Sequence, residues 1–493
     1  MQKSLVEQVA EHAKKQPEQI AIIAQDGTLS YGTLYQLICG FCRYLKEKGI
    51  QKGGGIVCRA QASVSYWVAC LGTHLAGGIF IPLEKDCTQD RIEQVVDCFG
   101  DVFALISLEG EEKIRNCQYF LNHEEVTPIS KAFYQSGVVY PYPDYKEDAV
   151  VLFTTGTTGV AKGVVGQHSY LVESAINTTE IPYAQDMKMV MPVPMNHLFG
   201  IGRSSTTLWY GGTLILVDGL ANLKAFYEAF EIHGGNALCV VPSALNFLLN
   251  FTEEAFLEYA EQIRFIEIGG EKTPYALQEH LLNVLPKAKM YIVYASTETC
   301  VSCVYDFSKY GATKNRIGHP IDNTKIYTID EDWQVVNADL ENPGFLAVES
   351  PGMMRTYFKD EETTKDIMKI GRIKTSDFGY VDEEGFICLT GRAGDVIVYG
   401  GQKINPTEVE DVAFKSGFIR ECVAYGVPDK EFGQLVKLLV VMKEGIAFNK
   451  VELERYFFAH VENFKVPKII LETTEIVRNR NGKIDRKYYK TQK

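Results

Sequence analysis

The sequence has no basic excess: its 493 residues carry 50 Lys and Arg against 63 Asp and Glu, a formal net charge of −13. A surface that tracks a polyanion needs surplus positive charge, so nucleic acid is not an expected partner, although a local basic pocket is compatible with these counts. Long apolar runs are also missing. The longest begins at Ala237 and is interrupted by Pro242 and Asn246, too short and broken for a bilayer. Residues 1–19 have apolar positions at helical spacing but no continuous apolar core, so no secretory signal is expected and the chain reads as cytoplasmic. Metal-site spacing is absent as well. Among 12 cysteines the two CxxC pairs, Cys39/Cys42 and Cys300/Cys303, lie far apart in sequence and have no histidine at ligand spacing, so free thiols in a reducing compartment are expected.

What is present is a folded composition, 46% hydrophobic and 23% charged, with length for roughly three domain-sized units. A helical apolar stripe from Ser30 gives way to a short apolar strand at Gly55, a second helix at Tyr66 and a second strand at Ile79. Helix and strand alternating at this spacing predict parallel sheets covered by helices. A polar connector from Pro141 precedes an apolar run ending at Phe153; residues 373–389 read as hairpins. After a charged junction at Gly391 the pattern restarts: a helix from about Pro406, strands around Val423 and Leu438, a helix near Glu452 and a basic tail. The expected fold class is α/β: a large amino-terminal body of α/β subdomains with parallel-type sheets plus a small β-rich part (1–391), a hinge (392–396) and a smaller α+β cap (397–493).

The strongest local signal is PheThrThrGlyThrThrGlyValAlaLysGly, residues 153–163, directly after a buried strand. Thr154, Thr155, Thr157 and Thr158 offer hydroxyls, Gly156 and Gly159 leave backbone N–H groups open, and Lys162 adds positive charge. Such a loop suits a polyphosphate, though it lacks Walker A spacing; a Gly/Thr surface turn fits the same composition.

This loop resembles the phosphate-binding loop of the adenylate-forming superfamily: acyl-CoA synthetases, peptide-synthetase adenylation domains and firefly-type luciferases. Four more of that family's motifs follow in order: TyrAlaSerThrGluThr at Tyr294, LysThrSerAsp at Lys374, GlyArgAlaGlyAspValIleValTyrGlyGlyGlnLysIleAsnProThrGluValGlu at Gly391 and AsnGlyLysIleAspArgLys at Asn481. The resemblance spans about Leu29 to Lys487. It implies an acid–thiol ligase that uses ATP and Mg²⁺ to make an acyl-adenylate, then a thioester on CoA or on the phosphopantetheine of a carrier protein. It also implies an AMP-binding body and a mobile cap that turns between the two steps.

By that resemblance Glu298 holds Mg²⁺, a hard oxygen for a hard cation, and Tyr294 gives adenine a flat face, flanked by Ala295, Ser296 and Thr297. Gly269, Gly270 and Glu271 line the adenine pocket through their backbone. Asp377 accepts from the ribose hydroxyls, Arg392 supports ribose or phosphate, and Lys483 bridges the acid and the α-phosphate. Gly400 and Gly401 let the thiol arm pass. Taken singly, several of these have plain structural readings: a strand-end glutamate, a core tyrosine, a strand-to-helix turn, a hairpin-start aspartate, a tail lysine.

Departures from the pattern are Ala161 for Pro, Ala295 and Ser376 for Gly, and Gly394 at a hinge position usually Asp or Lys, which predicts easy rotation there. The segment ProValProMetAsnHisLeuPheGly, residues 192–200, has Asn and His where amino-acid-activating members carry Asp, and it resembles the Pro-x-x-His-x-x-Gly arrangement of acyl- and aryl-CoA synthetases. An acid without an α-amine is therefore expected, with His197 gating or contacting it or sitting as a partly buried structural histidine. Arg203 is expected at the surface of its helix, the alternative being that it faces the acyl pocket and pairs with a second carboxylate or a polar tail of the acid. A stand-alone carrier-protein loader is the second reading, and a nucleotide-binding module without turnover the third.

Overall fold

The computed structural model describes residues 2–100, 102–107, 114, 116–154, 162–478 and 484–491, with the side chains of Lys403 and Lys487 excepted. Among the described residues three sheets form, of 14, 7 and 5 strands. The fold is the mixed α/β one expected, with a small carboxy-terminal α+β unit.

Local sequence accounts for the elements. The helix Tyr31–Lys48 starts at Ser30, whose hydroxyl accepts from the Thr33 N–H, and stops at Gly49 in the left-handed conformation. Its stripe Leu34, Leu37, Ile38, Phe41 and Leu45 faces the core. The next helix, Val64–Ala76, is buried on every side. Its first N–H groups find acceptors in Ser63 Oγ (from Tyr66, 3.1 Å) and in Asp26, whose carboxylate takes Val64 N at 2.8 Å and Ser65 N at 3.2 Å. A buried helix end needs such partners, because water cannot supply them.

In the largest sheet the strands Ile20–Ala24, Thr213–Leu216, Lys188–Met191, Ala237–Val240, Phe265–Gly269 and Lys289–Ser296 run parallel in that spatial order. Beyond the last of them the direction reverses. Cys300–Asp306, Arg316–Pro320, Ile387–Arg392, Arg372–Val381, Gly344–Glu349 and Lys325–Ile329 continue antiparallel, the hairpin-rich part the sequence predicts. This half curls, enclosing a small core of Tyr294, Cys303, Ile317, Leu346 and Ile387.

The 7-stranded sheet contains the hairpin of Asp148–Thr154 with Lys162–Gln167, in which Thr154 pairs with Lys162. The 5-stranded sheet is built from residues 397–472 and packs Leu453 and Phe457 of one helix and Val409 and Ala413 of another against its apolar side. All 12 cysteines are free thiols and ten are buried. No helix among the described residues is long and apolar enough to cross a membrane, and no three His, Cys, Asp or Glu residues are grouped to hold a metal. Asp26→Ala, which removes two acceptors from the buried helix terminus, is expected to lower stability by about 1–3 kcal/mol in a urea titration.

Candidate active site

The site begins where the large sheet changes direction. Lys289–Ser296 and Cys300–Asp306 form a hairpin whose turn is Thr297, Glu298 and Thr299. The register slips between Tyr294 and Ala295, a bulge of the kind that re-aims side chains beside functional sites. The turn is fixed from several directions. Tyr170 donates to the Thr297 carbonyl at 2.8 Å, the Met354 N–H to the Glu298 carbonyl at 2.8 Å, and the Thr299 N–H to Ser296 Oγ at 3.1 Å.

Glu298 itself is half-buried and takes the Tyr357 hydroxyl on Oε1 at 2.8 Å. Burial raises the Tyr357 phenol, and the Glu298 carboxylate adds to it, so Tyr357 remains a donor. The other carboxylate oxygen accepts nothing among the described residues. One tethered, partly solvated carboxylate with a spare oxygen fits a hard cation that takes its remaining ligands from phosphate and water.

Tyr357 also connects Glu298 to the strand that follows the Gly/Thr-rich segment. Its short strand, Thr356–Tyr357, pairs with Lys162–Gln167, the strand that leaves the loop. Lys162 Nζ lies 5.3 Å from the Tyr357 ring centroid, and Thr154 Oγ1 donates to the Lys162 carbonyl at 3.4 Å. Thr155, Gly156, Thr157, Thr158 and Gly159 lie outside the described residues, as does Lys483. Thr154 and Lys162 thus mark the two ends of the loop.

Asp377 is buried, and its side chain is the second anchor. Tyr294 donates to Oδ2 at 2.7 Å and Arg392 Nε to Oδ1 at 2.7 Å. Arg392 stands directly across the strand pair from Asp377, and its side chain is 62% exposed. Both oxygens of the carboxylate are therefore held, while the guanidinium reaches solvent. Burial and Asp377 push the Tyr294 phenol up, which keeps it protonated. Its hydroxyl is committed to Asp377, so any face it gives to adenine is oriented by that bond.

His197 sits half-buried at the start of the helix Leu198–Trp209, with Asn196 Nδ2 donating to its Nε2 at 3.2 Å. Gly200, in the same motif, has a packing reason: a Cβ there would lie 2.0 Å from the Pro194 carbonyl oxygen. Gly269 ends its strand with the Phe199 ring against it, and Gly270 and Glu271 follow in the turn. Gly400 and Gly401 make the hairpin turn between Ile397–Tyr399 and Gln402–Ile404, with φ of 55° and 84°. Two successive positive φ values match a type I′ turn, which explains both glycines locally.

The surface placement expected for Arg203 is wrong. Its side chain is 1% exposed and forms an ion pair of 3.3 Å with Glu267, itself fully buried. Sequence also gave no signal for Tyr357, which meets Glu298 across 59 residues.

The profile of the AMP-binding enzyme family matches residues 9–358, and that of the AMP-binding enzyme C-terminal domain matches residues 408–483. The chain is 25% identical over 491 residues to 2-succinylbenzoate–CoA ligase of Geobacillus sp. strain WCH70, covering 98% of this chain and 96% of the relative. It is 26% identical to the same-named ligase of Bacillus subtilis strain 168, covering 97% and 96%. Among solved structures it resembles the Bacillus subtilis o-succinylbenzoate CoA synthetase in complex with its acyl-adenylate, with TM-score 0.85, 24% identity and coverage of 100% and 99%. ATP-bound MatB from Rhodopseudomonas palustris gives TM-score 0.88 at 20% identity, with coverage of 98% of each chain. Tyr357→Phe is expected to raise the KM for MgATP about three- to tenfold in steady-state assays, with a smaller change in kcat, because it frees Glu298 from its only described side-chain donor.

Proposed function

Because the chain belongs to the family of AMP-binding enzymes, we propose roles for its residues in a two-step acid activation. The enzyme is an ATP-dependent acid–thiol ligase: it forms an acyl-adenylate with release of pyrophosphate, then a CoA thioester with release of AMP. The observation that carries the assignment of roles is the meeting of the Glu298 turn with the Tyr294–Asp377–Arg392 cluster at one hairpin, Tyr294 and Asp377 being 83 residues apart in sequence.

In the first step the acid's carboxylate attacks the α-phosphorus of ATP. Thr154, Thr155, Thr157, Thr158 and Lys162, with the backbone of Gly156 and Gly159, cradle the phosphates; Lys483 approaches the α-phosphate as charge redistributes. Asp377 accepts from the ribose hydroxyls, with Arg392 bracing it from the solvent side. The backbone of Gly269, Gly270, Glu271, Ala295, Ser296 and Thr297 borders adenine beside Tyr294. Glu298 would hold Mg²⁺, which when bound neutralises phosphate charge. Phosphoryl transfer asks for positioning and charge neutralisation more than covalent help, and these side chains supply both.

In the second step the thiolate attacks the activated carbonyl. The carboxy-terminal unit turns about residues 392–396, taking Lys483 away and bringing the Gly400–Gly401 turn to the thiol arm. Gly394 faces open space, since a Cβ there would meet no atom within 4 Å. The favoured acid is an acyl or aryl acid without an α-amine, because Asn196 and His197 occupy the position where an amine-binding carboxylate would stand, with His197 beside the acid. Free thiols throughout and consumption of ATP and CoA suit a cytoplasmic enzyme.

The experiment is pyrophosphate exchange into ATP with fatty, aryl, dicarboxylic and amino acids, followed by AMP release with and without CoA. Exchange that depends on one acid class is expected, and none with any acid would return the chain to a binding module. AMP release that needs a carrier protein instead of CoA would favour the loader. Lys483→Ala is expected to slow exchange about 10²–10³-fold while sparing thioester formation from supplied acyl-adenylate, and equal loss in both steps would contradict the alternating cap. Gly394→Asp, which the open space admits, is expected to leave exchange intact and slow overall turnover in a single-turnover comparison of the two steps.

A further inference from the structure

The turn that presents Glu298 is strained at its exit. Cys300, directly after it, has φ of 55°, and among the described residues it is the one buried non-glycine residue in the left-handed region. A side chain there is unfavourable, and such a conformation persists only where surrounding contacts impose it. Within the hairpin, Ser296 Oγ takes the Thr299 N–H at 3.1 Å, and Ser302 Oγ donates to Thr299 Oγ1 at 3.2 Å. These bonds close the turn on itself without setting its direction against the rest of the molecule.

An outside constraint comes from one residue of the helix His168–Asn177. Tyr170 is 1% exposed, and its hydroxyl reaches across 127 residues of sequence to the Thr297 carbonyl at 2.8 Å. Cys300 answers in the other direction, its Sγ donating to the Tyr170 carbonyl at 3.4 Å. The two bonds are reciprocal, so the first turn of the helix is tied to both ends of the Glu298 turn. The Tyr170 ring has its own seat over Gly166, where a Cβ would stand 2.5 Å from ring Cδ1. Gly166 belongs to Lys162–Gln167, the strand that follows the Gly/Thr-rich segment. That strand therefore meets the Glu298 turn twice, through Tyr357 at the carboxylate and through Tyr170 at the backbone.

We propose that Tyr170 is a positioning residue for the cation: by fixing the Thr297 carbonyl it holds the Glu298 carboxylate ready for Mg²⁺. This rests on the reading of Glu298 as the carboxylate that holds Mg²⁺. The ion accepts little departure from octahedral geometry, and groups behind a metal's ligand govern affinity by keeping that ligand oriented. Three bonds orient Glu298. Tyr357 restrains its side chain, the Met354 N–H holds the carbonyl after it, and Tyr170 holds the carbonyl before it. Of the two backbone restraints, Tyr170 is the one that a side chain supplies.

The test measures ATP binding by titration calorimetry without acid, so that no turnover occurs, once with Mg²⁺ and once with EDTA. The wild-type enzyme is expected to bind ATP more tightly with Mg²⁺. Tyr170→Phe keeps the ring over Gly166 and removes the hydroxyl. It is expected to weaken binding with Mg²⁺ about fivefold and to leave binding in EDTA within about twofold of wild type. Equal weakening under both conditions would mark general damage to the fold and overturns the proposal, as does a loss with Mg²⁺ of less than about threefold. Glu298→Gln, measured alongside, is expected to lose the Mg²⁺ advantage altogether. If it keeps that advantage, the reading of Glu298 falls and the proposal with it; if it loses the advantage and Tyr170→Phe does not weaken it, the proposal alone falls. Should Tyr170→Phe not fold, as judged by its melting curve, Cys300→Ala cuts the returning bond and carries the same test. A loss of about twofold or more is then expected with Mg²⁺ alone, and anything less overturns the proposal.

Discussion

The arrangement depends on one change of strand direction. Six strands run parallel up to Lys289–Ser296, and the chain then doubles back into Cys300–Asp306 instead of crossing over through a helix. Ligands of parallel α/β sheets collect at the carboxyl ends of the strands. Here that end is closed by a three-residue turn, Thr297–Thr299, so a carboxylate is presented there by a tight turn rather than by a long loop. The reversal also begins the antiparallel half, and the curl of that half returns Asp377 to the hydroxyl of Tyr294. A straight continuation would leave these groups with three strands between them in the sheet.

Two buried carboxylates flank this reversal and behave differently. Asp377 pairs with a guanidinium that is largely exposed, so its node opens to solvent and to whatever approaches from the hinge side. Glu267 pairs with a guanidinium that is 1% exposed, and the node is closed to water. Burial raises Glu267 from its ordinary value, while Arg203 and the Tyr183 donor pull it back. The first node can be reached from solvent through its guanidinium, and the second is sealed on both sides of the pair.

Much of this was legible in the sequence because the signals are local. Ser30 and Gly49 bracket a helix, Asp382 to Gly385 turn a hairpin, and the Gly/Thr loop follows an apolar strand, all within a few residues. The motifs at Tyr294, Lys374 and Gly391 were readable for the same reason, and the structure joins Tyr294, Asp377 and Arg392. What escaped depends on pairing between distant segments. Tyr357 reaches Glu298 only because a two-residue strand lies against the strand Lys162–Gln167. Arg203 looked like a surface residue because a charge on a helix usually is one; the Glu267 that reverses this lies 64 residues later, inside an otherwise apolar strand. The expectation of Tyr294 as a bare aromatic face missed its hydroxyl's partner for the same reason.

The carboxy-terminal unit is tied to the body through polar contacts that could be exchanged without exposing a core. Lys272 meets Asp411 at 2.6 Å, and Lys415 lies 5.9 Å from the Tyr275 ring. Polar interfaces of this kind allow relative motion between units. Residues 394 and 395 are held from the last described helix, where Lys490 donates to the Gly394 carbonyl and to Asp395, and Arg486 forms a bidentate pair with Glu410 at 2.9 and 2.8 Å. Arg486 and Lys490 belong to the helix Arg486–Thr491, which begins three residues after Lys483 in sequence. Any rotation at residue 394 must therefore either release Lys490 or carry that helix along, so the freedom that Gly394 lacks a side chain to oppose is constrained by the same segment that bears the terminal lysine.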